Sequence, residues 1–391
     1  GSGKVTIDTR QGLLDELGGL GINIKTYGAD LTITTGNVMS TAPGILTFNR
    51  GTGATLIDTT GGRINNSIKA YNEGRSTDLR IKTAYVGGGV FAKNTSSGPV
   101  VIDTVTGFVN QVDIDNAGGD VSLTTGDVGS TSYPVSYGVR EAITVENSGT
   151  GDVRIDTSRG IIKSSLHGIL VRNAGKSLSI TTRDVQGAVI GVYAVDQSGP
   201  AAIDTTAGAV IGRSLHGIYV RETGSGVSIR TADVTGGGVD GILVVNNGSG
   251  VSEVDSRAGA LTGVAAGLRV VQQASVGAVD VSTASVAGGM DGIRILSNSA
   301  AAVSVDSRSG TVTGVSDAGV GIDASNVTVR AADVQGGSIG IAVLNKGGAL
   351  AIDTTAGRVV AGSAGIAASN IAAATDLNIR AGSVTSGPGA F

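Results

Sequence analysis

The chain has 391 residues, 65 of them glycine, with 3% aromatic residues, no cysteine and a formal net charge of −4 at pH 7. Without cysteine there are no disulfides and no thiolate metal sites, and mild acidity without Lys/Arg runs argues against nucleic acid or an anionic membrane as partner. A mean hydropathy of +0.22 and regular Val/Ile alternation set it apart from a disordered Gly-rich chain, and no apolar run is long enough to span a membrane as a helix.

The first element, Val5-Thr6-Ile7-Asp8-Thr9, alternates apolar and polar residues and then recurs along the whole chain. Its central aliphatic is Ile7, Ile33, Ile57, Ile81, Ile102, Leu123, Ile155, Ile180, Ile203, Ile229, Val254, Val281, Val305, Val329, Ile352 and Ile379 in turn. The spacing averages about 25 residues, the period of a solenoid with one supersecondary unit per coil. One interval is longer: 32 residues separate Leu123 from Ile155, and the excess holds Tyr133-Pro134-Val135-Ser136-Tyr137. A loop extruded near residues 129–141 is expected there.

Between anchors lies a second landmark, Gly-Ile-x-Val-x-Asn, as in Gly168-Ile169-Leu170-Val171-Arg172-Asn173 and Gly241-Ile242-Leu243-Val244-Val245-Asn246. A shorter apolar element, Val210 in one coil and Val234 in the next, completes each unit. Three short strands per coil, joined by Gly/Ser/Asn turns and lacking a helical period, bury their aliphatics only by winding around a common axis. The expected fold is all-β, a right-handed parallel β-helix of about 16 coils forming a single domain over 1–391; the hand follows from the preference of parallel crossovers. Turn sequences alternate, Ile203-Asp204-Thr205 in one coil and Ile229-Arg230-Thr231 in the next, so the full repeat is a pair of coils.

Strand parity sorts the repeated residues into core and surface. With Ile155 inward, Thr157 also points in and Arg154 and Asp156 point out, which predicts a buried threonine ladder. Counting from Ile169 puts Asn173 inward, in a row with Asn49, Asn94, Asn147, Asn246, Asn326, Asn345 and Asn370 that Asp196, Glu222 and Gln272 interrupt. Stacked amides of this kind hydrogen-bond along the axis. The outward Asp row (Asp8, Asp58, Asp156, Asp204, Asp255, Asp306 and Asp353 among others) falls in alternate coils, roughly 9–10 Å apart, too far to share an ion. Lys82, Arg230, Arg330 and Arg380 fall between, which reads as an exposed ion-pair column. His167 and His216, two coils apart, are too distant for a joint metal site. No catalytic, metal or cofactor motif is present.

The outward face of the Gly-Ile strands is different. Parity exposes Leu46, Phe48 and Phe91, then Leu170, Tyr193, Val195, Tyr219, Leu243, Val245, Val271 and Leu296, interleaved with Arg172, Arg221, Arg269 and Arg294. From Leu170 to Val271 this predicts an apolar stripe larger than a monomer ordinarily exposes, of a composition favoured at recognition patches. Leu170, Tyr193, Val195, Tyr219, Leu243, Val245 and Val271 are the candidate binding residues, with Tyr133 and Tyr137 of the extruded loop as a secondary site.

The repeated Val-x-Ile-x-Thr and Gly-Ile-x-Val-x-Asn strands, the Gly/Thr/Ser-rich composition and the lack of cysteine resemble the passenger region of bacterial autotransporters. That resemblance implies an exported protein of the cell surface or outer membrane, an adhesin or self-associating module, attached through a C-terminal membrane β-barrel beyond this sequence. Opening in mid-pattern and ending at Pro388-Gly389-Ala390-Phe391 without a cap, the sequence reads as a piece of a longer protein. The expected partner is a host receptor, extracellular matrix, a glycan or a second copy of the chain. Alternatives are a spacer that presents another domain, and a polysaccharide-acting enzyme, which would require the clustered carboxylates that an ion-pair column does not supply.

Overall fold

A computed structural model describes residues 3–16, 18–129, 141–371 and 373–387. They fold into a right-handed parallel β-solenoid of about 15 turns, with no helix among the described residues. All sixteen anchors lie in strands, while the Gly-Ile strands number fifteen, because the first and last strands are both of the anchor type. The described chain forms two compact units, Gly1–Val185 and Gln186–Phe391.

Register within each unit follows the repeat. In the first, Ile7 pairs with Ile33, Ile33 with Ile57, Ile57 with Ile81 and Leu123 with Ile155. In the second, Ile203 pairs with Ile229 and Ile352 with Ile379. The Gly-Ile strands stack likewise, Ile143 on Ile169 and Ile218 on Ile242. Three segments per coil are present, but the anchor segment and the short segment often run on as one bent strand. The bend shows as a break in register, between Thr59 and Arg63 or between Thr354 and Arg358.

Ile57, Ile155 and Ile229 are fully buried, and each such side chain contributes about 1.5–3 kcal/mol on leaving water. A short strand must then turn sharply into the following Gly-Ile strand, which explains the Gly ending Val234-Thr235-Gly236: a Cβ at Gly236 would lie 1.8 Å from the Asp240 carbonyl oxygen.

Many polar residues inside the solenoid bond one another, although the Thr104, Thr125, Thr283 and Thr354 hydroxyls have no partner among the described residues. Threonine hydroxyls bond in pairs, Thr59 to Thr83 and Thr157 to Thr182, both at 2.7 Å, and Thr205 with Thr231 at 2.6 Å. In place of the expected continuous ladder there are three such pairs among the described residues, each joining two adjacent coils. Asparagines form the longer chain: Asn94 Nδ2 donates to Asn116 Oδ1 (2.9 Å), Asn116 to Asn147 (2.8 Å) and Asn147 to Asn173 (2.7 Å). Each rung also closes its own turn, as where Gly118 N–H bonds Asn116 Oδ1 and Asn116 Nδ2 bonds the Gly119 carbonyl. Asn72 and Asn116 belong to this row, and Asn326 does not. Its place is taken by Ala324, paired with Asn345, while Asn326 sits in the following turn at φ 50°. Counting from a fixed motif misses it by two residues because asparagine also suits a left-handed turn.

Asn116→Ala strips a rung of donors and acceptors from a dry interior. We predict a loss of about 2–4 kcal/mol in urea unfolding, well beyond the ordinary cost of one hydrogen bond, because several buried groups lose partners together.

Candidate functional site

The apolar face expected from parity lies, in the second unit, on the strands Ile190–Asp196, Ile218–Glu222, Ile242–Asn246, Ala266–Gln272 and Asp291–Ser297. Register arranges it in two columns. Tyr193, Tyr219, Leu243, Arg269 and Arg294 form one, and Val195, Arg221, Val245, Val271 and Leu296 form the other. The rings of Tyr193 and Tyr219 stack at 5.0 Å with an interplanar angle of 19°. Arg221 therefore separates Val195 from Val245, and Arg269 ends the Tyr-Tyr-Leu run.

Apart from the exposed Arg221 these side chains are half-buried, where a freely exposed stripe was expected. Parity sets direction only, and in mid-sheet each outward side chain has neighbours about 4.8 Å away on both sides that cover its flanks. Leu170, in the first unit, is the extreme case. Its position is outward beside Thr144, with the Arg172–Glu146 ion pair (2.6 Å) two residues along the same strands, yet it is 6% exposed and offers almost no surface. The first unit carries an aromatic pair of its own, Phe48 stacked on Tyr71 at 4.7 Å. Tyr71 escapes sequence reading because its strand, Ser67–Asn72, lacks the Gly-Ile signature. Tyr133 and Tyr137 lie outside the described residues.

More accessible apolar groups stand in the turns leading into Gly-Ile strands of the second unit, three of these strands being those of the apolar face and the fourth Ala318–Ala324. Leu215, Val264, Met290 and Val315 are 38%, 55%, 50% and 65% exposed. Lacking a strand period, turn residues gave no sequence signal.

Two buried polar clusters occupy opposite ends of the tyrosine strands. At the entry, Asp240 is fully buried; its Oδ1 accepts the Ala266 N–H at 3.1 Å, and its Oδ2 lies 3.5 Å from His216 Nδ1. His216 Nδ1 accepts the Asp240 N–H at 3.4 Å. Burial lowers the His216 pKa, ahead of the opposing pull of Asp240, and leaves the ring neutral near pH 7, 5.7 Å from the ring of Tyr219. Burial also pushes the Asp240 carboxyl up, more than Arg269 and His216 bring it down. Arg269 Nε lies 3.8 Å from Asp240 Oδ1, a charge contact beyond hydrogen-bond range. Asp291 repeats the arrangement two coils on, accepting the Ala318 N–H at 3.2 Å. The sequence signal was available: His216, Asp240 and Asp291 each immediately precede the glycine of a Gly-Ile strand.

At the exit, Asp196 and Glu222 replace two rungs of the asparagine row, paired in register and both fully buried. Burial, and secondarily the charge of Asp196, raises the Glu222 pKa to about 7.

The Asp row on the anchor strands is turn structure. Asp8, Asp255 and Asp306 pair with Arg10, Arg257 and Arg308 two residues on, each at 2.6 Å. Asp58, Asp204 and Asp353 take the same position's Thr60, Thr206 and Thr355. The basic residues expected as partners do align, Asp58 with Lys82, Arg230 with Asp255 and Asp353 with Arg380, but the carboxylates bond within their own coil because the i+2 N–H already points at them. Among the described residues, no three His, Asp or Glu side chains are placed to share a metal ion.

Comparison of the chain with known protein families, curated proteins and solved structures finds no match.

Asp240→Asn keeps an acceptor for the Ala266 N–H and removes the titrating carboxyl. A raised carboxyl pKa contributes stability below its unfolded value that is lost as pH rises, so the variant should gain on the wild type as pH rises. Urea unfolding of both proteins at pH 5 and pH 8 checks this; an equal difference at the two pH values would contradict it.

Proposed function

We propose that the Gly-Ile sheet face of the second unit is a macromolecular docking surface and that the protein is an adhesive, self-associating module of a bacterial cell surface. One observation carries the reading: the stacked Tyr193 and Tyr219 continue into Leu243, Val245 and Val271 as a half-exposed apolar patch rimmed by Arg221, Arg269 and Arg294. Aromatic and arginine side chains around an apolar centre are the groups that dominate binding energy at protein interfaces. Held on stacked strands, they lose little conformational freedom on contact. A second copy is the partner we favour, since one face meets its own image about a two-fold axis without requiring a new surface. Export as an autotransporter passenger, with attachment through a C-terminal β-barrel, is part of this proposal; the coil repeat, the composition and the absence of cysteine support it.

A spacer role is the second reading, favoured by the shielding of Leu170 and the half-burial of the remaining stripe. The enzyme reading has less support: the outward Asp row is engaged in turns, and the buried carboxyls lie under the surface.

Sedimentation velocity of the Tyr193→Asp/Tyr219→Asp variant separates these readings. Docking through this face predicts a concentration-dependent association in the wild type that weakens at least tenfold in the variant. Equal association in both would remove the face from consideration, and a wild type that stays monomeric and binds no cell surface would favour the spacer.

A further inference from the structure

The asparagine row imposes a simple condition: each rung must donate to its neighbour as well as accept. Asn94, Asn116 and Asn147 do so through Nδ2. Where the second unit substitutes Asp196 and Glu222, two acceptor-only carboxylates would face each other one strand spacing apart, about 4.8 Å, in the dry interior. Like charges so placed do not both ionise.

The surroundings of Glu222 offer no alternative neutralisation. Its Oε1 accepts the N–H groups of Gly224 and Ser225, and its Oε2 is buried without a hydrogen-bond partner among the described residues. The following rung, Asn246, spends Nδ2 on the Gly250 carbonyl and Ser252 Oγ, and its Oδ1 accepts the Gly248 N–H. Across the interior, Asp204 and Arg230 occupy outward positions on their strands, and Arg221, on the strand of Glu222 itself, is exposed. Among the described residues Asp196 is the one charged side chain acting on Glu222.

We infer that Glu222 holds a proton in the folded protein, which removes its charge from beside Asp196, and that this proton keeps the two tyrosine-bearing strands joined, which makes the docking face sensitive to pH. Tyr193 and Asp196 lie on one strand, Tyr219 and Glu222 on the next, with three residues from ring to carboxyl in each. Loss of the proton leaves two buried negative charges at the ends of the strands that stack the rings. The part concerning docking rests on the function proposed above; the proton itself does not.

The sign follows from burial. Glu222 is raised from 4.5 to about 7, so its contribution to stability is complete below pH 4.5 and lost as pH rises to about 7. Amide hydrogen exchange of the full chain, corrected for intrinsic rates, should show the opening equilibrium of residues 190–196 and 218–222 rising roughly seventy-fold from pH 5 to pH 8. In Glu222→Gln, whose amide supplies a donor without titrating, the rise should vanish; Asp196→Asn, which removes the like charge, should reduce it and serves as second variant. The same pH dependence in wild type and both variants would overturn the inference. Association measured on the same samples separates the two proposals. Wild-type association that weakens from pH 5 to pH 8 in step with strand opening supports both, whereas opening without association at any pH supports the proton and overturns docking.

Discussion

Every feature of this protein depends on one constraint, that each residue stacks about 4.8 Å from its counterpart one coil away. For aliphatic side chains the constraint is easily met, since Ile above Ile closes a dry interior along a continuous row. Polar side chains facing inward meet it only if each rung can both give and take a hydrogen bond. Asparagine does this with one amide, and it spends its remaining capacity on the turn that follows, as Asn116 does with Gly118 and Gly119. Threonine does so where its hydroxyl proton stays in the row; Thr231 accepts from Thr205 and spends its own proton on the Ala232 carbonyl, which ends the run.

The same stacking organises the surface and limits it. Outward residues form columns in which neighbours flank one another, so most of the outward apolar side chains of the Gly-Ile strands are half-buried, and Leu170, at an outward position, is 6% exposed. Charges in such columns are managed locally. The Asp row caps its own turns through the i+2 residue, and the alternation with Lys82 or Arg230 in the next coil adds only a longer-range electrostatic term.

Against this economy, the strands around Tyr193 and Tyr219 stand out. Within a few coils they gather a stacked aromatic pair, three arginines, a buried Asp240 beside a neutral His216, and a buried carboxyl pair. Buried titratable groups cost stability that an asparagine or an alanine at the same repeat position would spare, as Asn246 and Ala266 show in adjacent coils. Their concentration beside the apolar face of Tyr193, Tyr219 and Leu243 is what distinguishes that region from plain scaffold.

Much of the architecture was legible in the sequence by itself. A fixed spacing of Val-x-Ile-x-Thr determined the coil, its register and the inward row of aliphatics, because side-chain direction in a strand depends only on parity. Parity likewise placed the threonines inward, but it predicted a continuous ladder where the structure has hydroxyl pairs. Tertiary structure alone decided accessibility and partnership. Parity placed Leu170 outside, but its neighbours determine how much water reaches it; a motif count placed Asn326 in the ladder, but the turn claimed it. Asp240 and His216, and likewise Asp196 and Glu222, are distant in sequence and gain their chemistry only when one coil lies on the next, since a carboxyl's charge state depends on the groups and the solvent that surround it and not on the residues beside it in the chain.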